Sequence, residues 1–132
     1  MTPTESISTC YEKYFDFKGR ASRSEYWWFS LFGTLMSMFV SLCMNSYYGT
    51  ASVQIDPSTG EQTTTMAYWF ALITNSFCFN IPAFSASVRR YHDTGRSGWW
   101  WLLCFTGIGI FFCIYWLAKR GDVGVNKYGQ TQ

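Results

Sequence analysis

Charge is what this chain of 132 residues has least of: Asp, Glu, Lys and Arg together make up 14%, against roughly 25% in soluble domains. Histidine occurs once and proline three times. A lone histidine does not define a metal centre. The five cysteines, Cys10, Cys43, Cys78, Cys104 and Cys113, make no C-x-x-C pair and leave one over. That pattern supports neither a zinc site nor a disulfide framework. Four of the five lie in or beside apolar runs, where cysteine behaves as a small hydrophobe. The glycine-rich stretch 121–129 lacks the order of a P-loop and its Lys-Ser/Thr, which argues against nucleotide binding. No serine or cysteine sits in a recognisable nucleophile motif. The chain is therefore read as a non-enzyme, with no catalytic residue, metal or cofactor assigned. Its basic residues are few and flank apolar runs, which disfavours a nucleic-acid partner.

Aromatic residues, by contrast, make up 21%, seven of them Trp. Mean hydropathy is only −0.02, so composition alone does not indicate a membrane protein. The distribution of charge does. Charged side chains avoid three stretches completely, 26–44, 66–88 and 99–118. A helix needs about 20 largely apolar residues to cross a hydrocarbon core roughly 30 Å thick. The expected fold is an all-α integral membrane protein forming a single domain over residues 1–132. An N-terminal amphipathic interfacial helix over 1–18 precedes three membrane helices at those stretches. An external loop over 45–65 and a tail over 119–132 complete it. The first run lacks an A-x-A cleavage site, so it is expected to remain as an anchor.

Basic residues set the orientation. Residues 1–25 carry Lys13, Lys18, Arg20 and Arg23, the 89–98 loop carries Arg89, Arg90 and Arg96, and the 45–65 loop carries only Asp56 and Glu61. Short basic loops stay in the cytoplasm, which places the N-terminus and the 89–98 loop inside. Three crossings then put Lys119, Arg120 and Lys127 of the tail outside, against the rule. A re-entrant third segment turning at Thr106-Gly107-Ile108-Gly109 would return them, but neither arm could then cross. The reading adopted is three crossings.

Local signals divide the chain further. Thr2-Pro3-Thr4-Glu5 fits a capping box with proline at the first helical position. Ile7, Cys10, Tyr11, Tyr14 and Phe15 then share one helical face, suited either to the headgroup layer or to packing on other helices. Ser22-Arg23-Ser24-Glu25 is a second capping box before Tyr26-Trp27-Trp28. Ser97 stands likewise before Trp99-Trp100-Trp101. Each start joins a cap, an arginine and rings suited to interfacial depth. Gly33, Ser37, Ser41 and Asn45 recur every fourth residue, a small-residue seam for close helix packing. Asn75 and Asn80 lie within the second run, either as packing groups or on a water path. Pro82 should kink that helix and free the carbonyl of Cys78.

The chain resembles the domain-of-unknown-function 805 (DUF805) family of YhaH-like small bacterial inner-membrane proteins. The resemblance rests on Phe17-Lys18-Gly19-Arg20-Ala21-Ser22-Arg23-Ser24-Glu25-Tyr26-Trp27-Trp28, on Arg89-Arg90-Tyr91-His92-Asp93-Thr94-Gly95-Arg96-Ser97-Gly98-Trp99-Trp100, and on Gly121-Asp122 with Gly124, Asn126, Tyr128 and Gly129. It implies an inner-membrane location and this architecture, and it implies no activity. Members often carry proline near the middle of the third span, where Thr106 and Gly107 stand here.

Arg20, Arg23, Arg89, Arg90 and Arg96 are expected to converge at the cytoplasmic leaflet, with Asp16, Glu25, His92 and Asp93 as a polar network among them. Two uses follow: bidentate Arg–carboxylate ties between the elements, or a site for an anionic lipid headgroup. The function expected is a non-enzymatic inner-membrane component that self-associates, binds another membrane protein or binds anionic lipid. The alternative is an oligomeric pore or transport component, in a stress or phage-related role.

Overall fold

Thr2 starts the first helix as its sequence promises. In the computed structural model, which describes residues 1–48, 53–55, 58–59, 62–64 and 66–130, the Thr2 hydroxyl accepts from the Glu5 amide at 3.3 Å. The Glu5 carboxylate accepts from the Thr2 amide at 2.9 Å. With Pro3 in its first turn, α1 spans Pro3–Glu12, shorter than the expected 1–18. α2 spans Arg23–Tyr48 and α3 spans Met66–Asp93. A 3-10 helix over Gly98–Thr106 and α4 over Gly109–Ala118 follow. The chain divides into two units, Met1–Phe32 with Ile81–Gln132, and Gly33–Asn80.

In the first unit, α1 packs inward. Cys10, Phe29 and Ala86 are fully buried together, with Ile7, Tyr26, Phe32 and Ala83 against them. Of the two uses open to the α1 face, Ile7 and Cys10 thus take the packing one, while Tyr11 and Phe15 stay exposed. A second cluster joins Tyr91, Cys113 and Leu117, with Trp101, Leu103, Cys104 and Trp116 around it. α3 continues through Pro82 and past residue 88 to Asp93. Charge had marked its end too early, because the guanidiniums of Arg89 and Arg90 are paired rather than left to water.

The third apolar run is not one helix. At Gly107 the backbone takes φ 71° and ψ −65°, a γ-turn conformation open in practice to glycine. The Ile108 amide donates to the Thr106 carbonyl across it at 2.8 Å. The Thr106 hydroxyl donates to the Leu103 carbonyl at 2.8 Å and accepts from the Gly109 amide at 3.1 Å. A Cβ at Gly109 would overlap the Leu103 carbonyl and side chain, so the two arms fold closely together. The arms measure roughly 18 Å and 15 Å at 3-10 and α-helical rise. The expected 99–118 crossing helix is corrected to two short arms.

In the second unit, Gly33 faces Phe79 of α3, whose Cβ lies 3.9 Å from where a glycine Cβ would be. Leu35, Met38, Phe39 and Leu42 of α2 and Trp69, Phe70, Ile73 and Phe77 of α3 are exposed. The expected loop 45–65 holds an antiparallel pair, Val53–Ile55 with Gln62–Thr64, in the register Val53↔Thr64. The all-α expectation is amended by that hairpin; Asp56 and Glu61 lie outside the described residues. Two helices, over Arg23–Ser46 and Tyr68–Asp93, are long and apolar enough to cross a membrane. Only 11% and 28% of their apolar windows are buried, whereas a core helix of a soluble protein would be mostly buried.

Candidate functional site: a buried arginine–carboxylate knot

The three motif stretches meet at one place. Asp93, at the end of α3, accepts from Arg20 Nε at 2.8 Å on one oxygen, which also lies 2.7 Å from Arg20 Nη2, and from Arg90 Nη1 on the other. The rest of the Arg20 guanidinium is wrapped by main-chain carbonyls. Nη1 donates to Gly124 at 2.6 Å and Gly129 at 3.3 Å, and Nη2 to Asp122 at 2.5 Å. Arg90 Nε donates to the Leu117 carbonyl at 3.0 Å, and its Nη2 donates to the Lys119 carbonyl. Arg90 thereby caps the C-terminal end of α4, where unpaired carbonyls carry partial negative charge. Arg89 pairs separately with Glu25 at 2.5 Å. Arg20, Arg89, Arg90 and Glu25 are all essentially inaccessible to water.

Glycines make this closeness possible. A Cβ at Gly121 would overlap the Asp93 carboxylate, and one at Gly95 would lie 2.7 Å from Asp122 Oδ2. The Asp122 amide donates to the Asp93 carbonyl at 2.8 Å, and Asn126 Nδ2 to the His92 carbonyl at 2.9 Å. His92 stacks on Tyr128 at 3.9 Å and an interplanar angle of 7°. Its Nδ1 meets the Gly19 carbonyl at 3.2 Å; a carbonyl only accepts, so Nδ1 carries the proton.

The expected convergence thus splits. Arg20, Arg89, Arg90, Glu25, His92 and Asp93 come together. Arg23 is exposed, with Nη1 3.5 Å from the Ala118 carbonyl. Arg96 lies over the Trp116 ring at 4.5 Å. Asp16 instead accepts from the Lys18 amide in a local turn at 2.9 Å. The Ser22 hydroxyl does cap α2 by accepting from the Glu25 amide at 3.2 Å. The Glu25 carboxylate, however, turns to Arg89 rather than back to Ser22. Sequence reading also missed Cys10, whose thiol donates to Glu25 Oε1 at 3.9 Å. Burial, and then the Glu25 carboxylate, push that thiol up from its ordinary value of 9.0 to about 12, with Arg89 opposing. The tail carbonyls around Arg20 were missed as well; the glycine-rich motif was their only signal.

Along the small-residue seam, Gly33 is buried, Ser37 half-buried, and Ser41 and Asn45 exposed. Positions four apart drift by about 40° per step on a helix, so the stripe leaves the packed face. Asn75 is half-buried with Oδ1 enclosed and without a partner among the described residues, while Asn80 is exposed. A mostly apolar cavity of about 310 Å³ is lined by Phe84, Val88, Trp99, Trp101 and Leu102, with His92 and Ser97 as polar members.

Fold and site together define a small helical membrane protein with a buried Arg–carboxylate knot in its first unit. The chain belongs to the family described as protein of unknown function (DUF805), whose model matches residues 14–130. It is similar to the inner membrane proteins YhaI and YhaH of Escherichia coli (strain K12), with 29% and 30% identity over 119 residues. The matches cover 89% of this chain and 86% and 88% of those relatives. No solved structure matches.

Proposed function

We propose that the chain is a non-enzymatic, multi-pass component of the bacterial inner membrane with its N-terminus in the cytoplasm. In this reading α2 and α3 cross the bilayer, and the 3-10 helix and α4 form a re-entrant hairpin that returns the tail to the cytoplasm. Its partners are anionic lipids and membrane helices, either a second copy or another membrane protein. The observation that carries the reading is the wrapping of Arg20, just before α2, by the carbonyls of Asp122, Gly124 and Gly129. Arms of about 18 Å and 15 Å are too short for a core roughly 30 Å thick. All ten Lys and Arg residues then face one side, as the positive-inside rule asks.

Against catalysis, His92 is committed to the Gly19 carbonyl and to the Tyr128 ring. Against a pore lined by both asparagines, Asn75 and Asn80 project about 140° apart on one helix.

The test is accessibility. With Cys43 and Cys78 replaced by serine, Gln130→Cys is expected to resist a membrane-impermeant maleimide in intact spheroplasts and to react once they are opened. Dibromobimane should also bridge Cys104 and Cys113, which pack in one cluster across the hairpin but would lie about 13.5 Å apart along a straight helix. Labelling of residue 130 from outside rejects the reading.

A further inference from the structure

We propose that Arg23, Lys119 and Arg120, backed by Arg96 on Trp116, form a binding site for the phosphate of an anionic phospholipid at the cytoplasmic leaflet. The inference rests on the re-entrant topology above, and it moves headgroup binding away from the arginines that motif reading favoured. Arg20 and Arg90 are buried and consumed by Asp93 and main-chain carbonyls, and Arg89, paired with Glu25 through Nη1 alone, keeps its Nε and Nη2 enclosed away from the surface. They offer no donor to a lipid surface.

The remaining cations form a different group. Arg23, in the first turn of α2, reaches the Ala118 carbonyl at 3.5 Å. That carbonyl belongs to the peptide leading into Lys119, so the start of α2 and the end of α4 are neighbours. Lys119 itself is anchored through its carbonyl by Arg90 from inside the knot. Its main chain is therefore fixed, while its side chain and those of Arg23 and Arg120 stay exposed. Arg96 is held over Trp116, the ring three positions before Lys119.

Charge and depth narrow the ligand. Among the described residues no carboxylate pairs with Arg23, Arg96, Lys119 or Arg120. Asp122, the acid nearest Lys119 and Arg120 in sequence, turns toward Gly95, while Glu25 and Asp93, nearest Arg23 and Arg96, are taken by Arg89 and by Arg20 and Arg90. Beneath them, three guanidiniums against two carboxylates leave the knot with one positive charge. A patch without a carboxylate offers nothing to the ammonium of a zwitterionic headgroup. It favours a phosphodiester that carries net negative charge, gripped by guanidinium forks and an ammonium. Trp27, Trp28 and Trp100 are partly exposed beside these helix ends, and such rings settle at headgroup level.

The test uses the full chain, delipidated in neutral detergent and titrated with short-chain phosphatidylglycerol or phosphatidylcholine under native mass spectrometry. Each basic residue near an anionic surface strengthens attraction roughly fivefold. Arg23→Gln/Lys119→Gln/Arg120→Gln is expected to lower the preference for phosphatidylglycerol roughly a hundredfold, and Lys13→Gln/Lys18→Gln to leave it within about twofold. If the triple variant unfolds in a thermal melt, Arg23→Gln alone, expected to lose roughly fivefold, decides the matter. Wild-type protein without a preference overturns the proposal, as do equal losses in both sets or displacement of lipid by millimolar inorganic phosphate. Labelling of Gln130→Cys separates the failures: cytoplasmic residue 130 with no lipid preference rejects this site alone, whereas external residue 130 rejects the topology beneath it.

Discussion

Asp93 satisfies two guanidiniums with one carboxylate, and each of its oxygens is used. Removing one partner of a buried ion pair costs about 3–5 kcal/mol, because the charge left behind has no solvent. Asp93→Ala strands two such charges, so it is expected to destabilise the protein at or above the top of that range in detergent unfolding. Gly121→Ala should cost about 1–3 kcal/mol by pressing a methyl group into the same carboxylate. Exposed Arg23→Gln serves as the reference, at about 0.5 kcal/mol or less. If Asp93→Ala melts with Arg23→Gln, the knot does not hold the fold. Asp93 was legible as a member of the polar network among the arginines, but its i, i+3 pairing with Arg90 was hidden by reading 89–98 as a loop rather than the end of α3. Arg20–Asp93 and Arg89–Glu25 were not legible, since 73 and 64 residues separate the partners and no local period encodes such a meeting.

At the scale of elements, α1 offers the sharpest measurement. Its Cys10 thiol is pushed up to about 12 when docked, from 9.0 in an open chain. The folded state thus holds the proton to higher pH, and stability should decline as pH rises from about 9 toward 12. At pH 8 the docked thiol carries roughly a thousandfold less thiolate than an open one. In a chain with the other cysteines replaced by serine, maleimide should modify Cys10 slowly until detergent unfolding releases α1. Rapid modification of the native protein would show α1 undocked. Helix starts were read well from sequence, because Thr2, Ser22 and Ser97 act within three residues of themselves. Helix ends were read less well. Apolarity marked 99–118 as one span, and the alternative turn at 106–109 was set aside, because the γ-turn at Gly107 depends on two φ/ψ values that hydropathy does not register.

For the whole molecule, the tail is a structural member rather than an appendage. A chain ending at Arg120 loses the carbonyls of Asp122, Gly124 and Gly129 from a buried guanidinium, together with the Tyr128 cover of His92. Leaving buried polar donors unmet costs about 1–3 kcal/mol each. The truncated protein is expected to insert yet to melt several degrees lower in detergent; an unchanged melting temperature would falsify the role given to the tail. Membrane class and family were legible from charge-free runs and three motifs. Which arginines remain available to a ligand was not, because burial is a property of the assembled helices.

The wrapping of Arg20 also has a history in time. Its carbonyl acceptors lie 102 to 109 residues further along the chain, so during synthesis the guanidinium emerges long before they exist. Until then water is its solvent, and a hydrated cation resists translocation. In the proposed topology the same side chain steers insertion while the polypeptide is growing and becomes masonry once the polypeptide is finished.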